Sequence, residues 1–133
     1  MSSTEPFCRG DVVLVAFPYV TDPSRAKHRP AVIIQNDIGN RFSPNLIVAG
    51  ITSQLPRRRY PTDFWVDLGS EEGRAAGLDR AAVVKADTIL TVPKSAVAAR
   101  LGHFPATAMA AIDQCLRISL ALQADGVLPP DGE

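Results

Sequence analysis

A guanidinium and two hydroxyls lie at the ends of two apolar segments, where they could together bind a phosphate group. Arg29 precedes the first segment, residues 31–35, and Thr52 and Ser53 follow the second, residues 46–51. Antiparallel pairing of these segments as β-strands would bring the polar ends together. Because a guanidinium fork can bind two phosphate oxygens at once, an arginine opposite hydroxyl groups is typical of a phosphate site.

Only one of the two hydroxyls can face the arginine. Successive residues of a strand point to opposite faces, so Thr52 and Ser53 diverge. Pro30 biases Arg29 away from helical conformation, at the point where a long loop, residues 18–28, enters a strand. On spacing alone, a surface arginine and turn-forming hydroxyls remain the simpler interpretation.

Alternating and β-branched patterns predict strands through the first two thirds of the chain. The predicted strands cover residues 11–17, 31–35, 46–51, 63–68 and 82–92, the last interrupted near residues 86–87. Between the second and third strands, NDIGNRFSPN is too rich in Asn, Gly and Pro for a strand and has room for one helical turn.

The last third of the chain changes to a helical period. A short helix is predicted over residues 94–101 and a longer one over residues 107–122, and His103 between them is expected to be structural. The longer helix presents one apolar stripe, formed by Met109, Ile112, Leu116 and Leu120. A frayed tail is expected over residues 124–133. Strands first and helices last, with a mainly antiparallel sheet, predict an α+β fold.

Length and composition favour one soluble domain. The chain has 133 residues, of which 46% are apolar, and no repeat or linker divides it, so we expect a single domain over residues 1–133 with a core over residues 9–122. Cys8 and Cys115 lack disulfide or metal spacing, so reduced thiols and no metal site are expected. No apolar run approaches the roughly 20 residues that span a bilayer, and no signal peptide is recognisable. A cytoplasmic protein without membrane association is therefore expected.

The charge is unevenly distributed along the chain. Net charge is zero and the pI is about 6.7, whereas nucleic-acid-binding domains typically exceed about 9. However, residues 1–60 contain eight Lys/Arg against four acidic residues, and the remainder contains six against ten. This asymmetry favours a localised anion-binding face on a neutral body, although loop charges such as those of residues 57–59 also simply solvate loops.

Three segments carry a family resemblance. They are GDVVLVAFPY at residues 10–19, RPAVIIQNDIGNRFSPNLIVAGITSQ at residues 29–54 and VVKADTILTV at residues 83–92. Together they closely resemble the MazF/PemK family of toxin endoribonucleases, over about Arg9 to Leu122. The resemblance implies a small, strongly bent, SH3-like antiparallel β-barrel with a C-terminal helix, usually a homodimer.

The resemblance also implies an activity. Relatives are sequence-selective, metal-independent endoribonucleases that cleave single-stranded RNA without a cofactor, leaving a 2′,3′-cyclic phosphate and a 5′-hydroxyl. A cognate antitoxin holds them inactive. The activity would exploit the 2′-hydroxyl beside each phosphate of RNA, an internal nucleophile that needs no metal ion.

Residue roles follow from the same resemblance. Arg29 would stabilise charge on the phosphoryl oxygens, Thr52 would donate to the scissile phosphate, and Ser53 would form a turn or contact an adjacent phosphate. The proton acceptor stays open between His28, whose type has an ordinary pKa of about 6.5, and Asp87. Further residues expected to bind RNA are Tyr19, Arg25, Lys27, Gln54, Arg57, Arg58, Tyr60 and Lys85.

One departure from the family pattern keeps other functions open. Many relatives carry an arginine in a QIRT segment, where this chain has Leu90. In a subset of relatives a basic residue stands earlier, so Lys85 could take over part of the phosphate contact, or be an exposed lysine on an edge strand. The alternatives are a toxin of the same fold that poisons DNA gyrase, and an inactive SH3-like module that binds RNA or a peptide. Leu90 supports the module, and the pairing of Arg29 with Thr52 argues against the poison.

Overall fold

A bent antiparallel sheet carries the fold, with one long helix near the C-terminus. The computed structural model describes residues 5–16 and 27–122. The strands are β1 (Asp11–Ala16), β2 (His28–Ile33), β3 (Asn45–Thr52), β4 (Asp63–Val66), β5 (Ala82–Pro93) and β6 (Val97–His103). The helices are α1 (Asp37–Phe42), α2 (Glu71–Ala75) and α3 (Ala106–Ser119), with a 3₁₀ turn at Lys94–Ala96.

The six strands form one sheet in the order β4-β5-β3-β2-β1-β6. Within the described residues β4 and β6 are its two edges, so the sheet stays open where a closed barrel was expected. Along β3 and β5, the pairing shifts register between Ala49, opposite Ile89, and Gly50, opposite Lys85. This bulge matches the interruption predicted near residues 86–87 and bends the long strand. The predicted α+β fold with a bent antiparallel sheet and a C-terminal helix is confirmed.

Both faces of the sheet are buried. One face packs beneath α3, where Val12, Val32 and Ile51 join Phe104 and Ile112. The other face forms a second apolar cluster, made by Val13, Val15, Ala31, Ile33, Leu46, Val48 and Val92, with Phe7 and Val97 packed against it. Burial on both faces explains why the central strands are nearly continuous apolar runs rather than alternating ones.

The prediction of a helix over residues 94–101 is wrong. After the 3₁₀ turn the chain forms β6, which pairs with β1 through Val13 opposite Arg100 and Leu14 opposite Ala99. Pairing along β1 outweighs the helical preference of this Ala-rich, Arg-rich stretch, because propensity differences are small beside the gain from tertiary contacts. His103 therefore ends a strand, where its Nδ1 lies 2.8 Å from Asp11 Oδ1, in keeping with the structural role expected for it.

The short helix α2 was not predicted. Ser70 begins it, and its Oγ accepts a hydrogen bond of 3.1 Å from Gly73 N. The sequence SEEG carried this signal, since a serine cap followed by acidic residues is typical of a helix start. The helical turn expected between the second and third strands is confirmed as α1, which Asn36 caps by accepting from Gly39 N at 2.7 Å.

The long helix matches its prediction except at its end. α3 buries Met109, Ile112 and Leu116 against the sheet and stops at Ser119, three residues before the predicted limit. Ala121 adopts a left-handed φ of 57°, and its N–H donates to Ile118 O at 3.2 Å. The N–H of Leu122 donates to Arg117 O at 2.7 Å, which completes a Schellman cap. None of the described helices is long and apolar enough to cross a membrane.

Arg9 ties the N-terminal segment to the rest of the fold. Its backbone N–H donates to Asp37 Oδ1 at 2.7 Å and its Nε to Ile34 O at 2.8 Å, while Nη2 lies 2.7 Å from Asp113 Oδ1. One residue thus connects the end of β2, α1 and α3. The cysteines form no disulfide: Cys8 is exposed and Cys115 is buried.

Candidate active site

The predicted phosphate-binding residues line one cavity. It has a volume of about 490 Å³ and lies at the ends of β2 and β3. The two strands contribute the residues expected at their ends: Lys27, His28, Arg29, Thr52, Ser53 and Gln54. Residues 23 or more positions apart in sequence are therefore brought to one place, as the antiparallel arrangement predicted.

The cavity opens where β2 and β3 separate. Pairing between them ends at Ala31 opposite Gly50. Beyond that point β2 continues to pair with β1 as far as His28, and β3 continues with β5 as far as Thr52. Pro30 has no N–H to extend the ladder as a donor. The ends of the two strands are thus held by their outer neighbours and leave a gap between them.

Arg29 and Thr52 occupy matching positions across this gap. Extending the pairing of Ala31 with Gly50 by two residues aligns Arg29 with Thr52, and strand alternation assigns both to one face of the sheet. His28 and Ser53 belong to the opposite face by the same rule, the face that carries Ile51, and they line the cavity from that side. The arginine is exposed and the threonine half-buried. The register therefore favours Thr52 over Ser53 as the partner of Arg29.

The threonine hydroxyl also has a local role. Thr52 Oγ1 accepts a hydrogen bond of 3.1 Å from Gln54 N, so Thr52 caps the turn that leaves β3. The sequence predicted a turn or capping role for Ser53 and did not predict this hydrogen bond of Thr52. Because a hydroxyl that accepts through its oxygen keeps its own hydrogen, Thr52 can still donate to a ligand in the cavity.

A third wall of the cavity was missed from sequence. The turn between α2 and β5 contributes Gly77, Leu78, Asp79 and Arg80. Arg80 Nε lies 3.3 Å from Asp79 Oδ1, and both side chains are largely exposed. The sequence signal was slight, a glycine followed by charged residues about 50 positions from Arg29. With Lys27, Arg29 and Arg80 against Asp79, cationic side chains outnumber the anionic one among the charged groups that line the cavity.

Lys85 and Asp87 lie outside this cavity. Lys85 Nζ is 3.0 Å from Asp63 Oδ1 and 3.7 Å from Asp87 Oδ1. Asp63 is buried and also accepts from Tyr60 N at 3.3 Å. The register assigns Lys85 to the same face as Gly50 and Thr52, but its charge is already paired with two carboxylates.

The loop after β3 presents several expected RNA-binding residues without bringing them into the cavity. Arg57 and Arg58 are exposed, and Tyr60 is 39% exposed. Arg59 instead lies over the Trp65 ring, 4.4 Å from its centroid, and so helps to hold the loop. Tyr19 and Arg25 lie outside the described residues. Over residues 5–16 and 27–122, no group of three or more His, Cys, Asp or Glu side chains is placed to hold a metal ion.

Comparison with known proteins identifies the family. Residues 8–120 match the family model described as PemK-like, MazF-like toxin of type II toxin-antitoxin system. The chain belongs to this family. It is 37% identical over 114 residues to Endoribonuclease EndoA of Bacillus subtilis (strain 168), a match that covers 86% of this chain and 94% of that protein. The MazF/PemK resemblance seen in the sequence is confirmed.

Solved structures of MazF relatives share the fold. An endoribonuclease from a mycobacterial species, in complex with its cognate antitoxin, has a TM-score of 0.67 and 26% identity, covering 87% of this chain and 96% of that chain. MazF from Deinococcus radiodurans has a TM-score of 0.64 and 23% identity, covering 87% of this chain and 97% of that chain. The second likeness establishes the fold alone.

Proposed function

We propose that this protein is an endoribonuclease toxin that cleaves single-stranded RNA and is neutralised by a cognate antitoxin. The alignment of Arg29 with Thr52 across one open cavity carries the proposal. Family membership and the likeness to Endoribonuclease EndoA support it. A gyrase poison would need neither residue at such a cavity.

The cavity suits cleavage by the 2′-hydroxyl of the substrate. Attack of the 2′-oxygen on the adjacent phosphorus forms one P–O bond and breaks the bond to the 5′-oxygen, leaving a 2′,3′-cyclic phosphate and a 5′-hydroxyl. Arg29 stabilises the charge that develops on the phosphoryl oxygens, and Thr52 donates a hydrogen bond to the same group. Because the nucleophile belongs to the substrate, no metal ion is required to generate it.

Two protons move in this reaction. The 2′-hydroxyl must lose one and the departing 5′-oxygen must gain one. His28 lines the cavity and its exposed imidazole can accept the first, whereas Asp87 lies beside Lys85 outside the lining. The guanidinium of Arg29 stays protonated and cannot act as the base. His28 is therefore the preferred acceptor and Asp87 the second candidate.

RNA would extend from the cavity over neighbouring surfaces. Lys27 and Gln54 line it directly, and Ser53 is exposed beside them. Arg57, Arg58 and Tyr60 would contact the next phosphates and bases from the loop after β3, with Tyr60 as a stacking surface. Tyr19 and Arg25 are proposed as further RNA contacts, and Lys85 would supply a weaker, paired charge.

We also propose a cytoplasmic homodimer. Ile38 and Phe42 on α1 are 75% and 77% exposed, and Leu120 and Leu122 after α3 are 51% and 64% exposed. Exposed apolar groups at this density are typical of a protein interface. A two-fold pair would set two basic halves around a common groove. A disordered acidic and apolar antitoxin segment could enter that groove and displace RNA by competing for Arg29.

One experiment separates the proposal from its alternatives. Purified protein is incubated with a long mixed-sequence RNA in the presence of a chelator, and the products are mapped at both ends. Discrete cuts with 2′,3′-cyclic phosphate and 5′-hydroxyl ends, absent with Arg29→Ala, are expected. Gyrase inhibition without RNA cleavage would indicate the poison. Binding without either activity would indicate an inactive module, as Leu90 would allow.

A further inference from the structure

We infer that Arg80, on the turn between α2 and β5, binds a phosphate that flanks the scissile one, and so acts as a further cationic contact of the substrate site. The inference rests on the proposed nuclease function and extends it to a residue that the sequence pattern did not single out. Arg80 lines the same cavity as Arg29 and Thr52, although it is 51 positions from the first and 28 from the second in sequence.

The position of the turn is fixed by two close backbone approaches. Gly77 has a φ of 74°, and a Cβ added to it would lie 2.1 Å from Leu101 O. A Cβ on Gly102 would lie 2.3 Å from Ala75 O. Only glycine fits such contacts, so the turn is packed backbone against backbone on β6. The wall that carries Arg80 is therefore held rigidly beside the ends of β2 and β3.

The Arg80 side chain is available for a ligand. Its described ion pair is with the adjacent Asp79, at 3.3 Å, and the two side chains are 70% and 85% exposed. An exposed pair of this kind contributes little free energy. Replacing the Asp79 carboxylate by an RNA phosphate as the partner of Arg80 therefore costs little free energy. The Arg80 guanidinium can then bind two phosphate oxygens.

Two nearby positions on β5 do not supply a cation for the flanking phosphate. Leu90 is apolar and packs against the second apolar cluster opposite Val48. Lys85 is engaged by Asp63 and Asp87. A single-stranded RNA carries a negative charge at every nucleotide, so a cavity that holds one phosphate places the next within reach of its walls. Together with Lys27, Arg80 lines the cavity and is placed to meet that phosphate once Arg29 binds the scissile group.

The test measures RNA binding and cleavage together. The probe is a single-stranded RNA oligonucleotide that spans a mapped cut site, with a 2′-methoxy group at the scissile nucleotide so that it binds without being cut. Arg80→Gln should weaken binding about tenfold and lower the slope of log affinity against log salt by about 0.7, the amount for one contact to a single strand. On unmodified RNA, KM should rise while kcat changes less than twofold, because a flanking phosphate is bound equally in ground and transition states.

Two variants make the result specific. Arg80→Lys should recover the salt slope, since it restores the charge. Arg74→Gln removes the same charge from α2, outside the cavity, and should leave affinity and slope unchanged. The inference is overturned if Arg80→Gln leaves the slope of log affinity against log salt unchanged. It is also overturned if Arg74→Gln loses as much RNA affinity as Arg80→Gln. Wild-type protein that binds RNA without cutting it refutes the nuclease proposal alone, because the salt slopes, then measured on an unmodified single-stranded oligonucleotide, still decide Arg80. Wild-type protein that neither binds nor cuts refutes both.

Discussion

Replacing Arg29 with alanine tests the centre of the proposed site. Arg29 is exposed and lies past the last paired residue of the β2–β3 ladder, so its removal breaks no pairing between these strands. We expect the free energy of unfolding to change by less than about 0.5 kcal/mol, as for ordinary surface substitutions. Any loss of cleavage then reports on chemistry rather than on folding.

The expected loss follows from what the side chain does in the transition state. A preorganised donor at a developing oxyanion contributes on the order of 3 kcal/mol, which corresponds to a loss of at least about a hundredfold in rate. Lys27 and Arg80 remain in the cavity and keep RNA bound, so kcat should fall more than KM rises. Arg29→Lys should retain part of the activity, because a point charge lacks the bidentate fork.

The assay is single-turnover cleavage of an oligonucleotide containing a mapped site, with circular dichroism to verify folding. Thr52→Ala should cost less than Arg29→Ala, about tenfold, and Ser53→Ala should stay within about twofold. Full activity in a folded Arg29→Ala variant would remove this arginine from the mechanism. A larger loss in Ser53→Ala than in Thr52→Ala would show that the facing inferred from the register is reversed.

The remaining predictions concern pH, stability and assembly. If His28 is the base, the cleavage rate rises with pH through one titration and His28→Gln removes that rise; an unchanged profile shifts the role to Asp87. The Arg9 backbone N–H and the Asn40 side chain lower the pKa of Asp37 below its usual 3.8, so the stability it contributes is present above that pH and lost on acidification. Urea unfolding should therefore separate Asp37→Asn from wild type at pH 7, and the difference should narrow as the pH falls below 3.8. Ala121→Gly should raise the unfolding free energy by about 0.5–1 kcal/mol, because glycine adopts the left-handed cap without strain. Light scattering should give a dimer mass at micromolar concentration, and a monomer would contradict the proposed assembly.

The central strands were predictable because their apolar amino-acid composition reflects their burial. Strands β1, β2 and β3 are apolar on both faces. Continuous apolar segments of this kind predict strands of a sheet that is buried on both faces. The pairing of β2 with β3 also followed from the short connection through α1. The meeting of Arg29 with the end of β3 could therefore be predicted from residues close in sequence.

The misses share a different cause. β6 forms because β1 offers it an unpaired edge, a fact about three-dimensional neighbours that the stretch of residues 97–103 does not contain. Arg80 reaches the cavity only because Gly77 and Gly102 bring α2 and β6 together. The capping hydrogen bond of Thr52 was not predicted, since it depends on the direction of the backbone after β3. Local patterns cannot report contacts that depend on the order of strands in the sheet.

Because the pairing between β2 and β3 stops before the ends of these strands, the two sides of the site are held by different neighbouring strands. Arg29 lies on the end of β2 that is paired with β1, and Thr52 lies on the end of β3 that is paired with β5. A change in the angle between the β1–β2 pair and the β3–β5 pair would alter the distance between the Arg29 guanidinium and the Thr52 hydroxyl. No β2–β3 pair would break, because that pairing ends at Ala31 and Gly50. We therefore expect bound RNA to draw the two side chains together. Slowed amide hydrogen exchange at Arg29 and Thr52 on binding RNA, with little change at Val32 and Ala49, would be the signature of that closure.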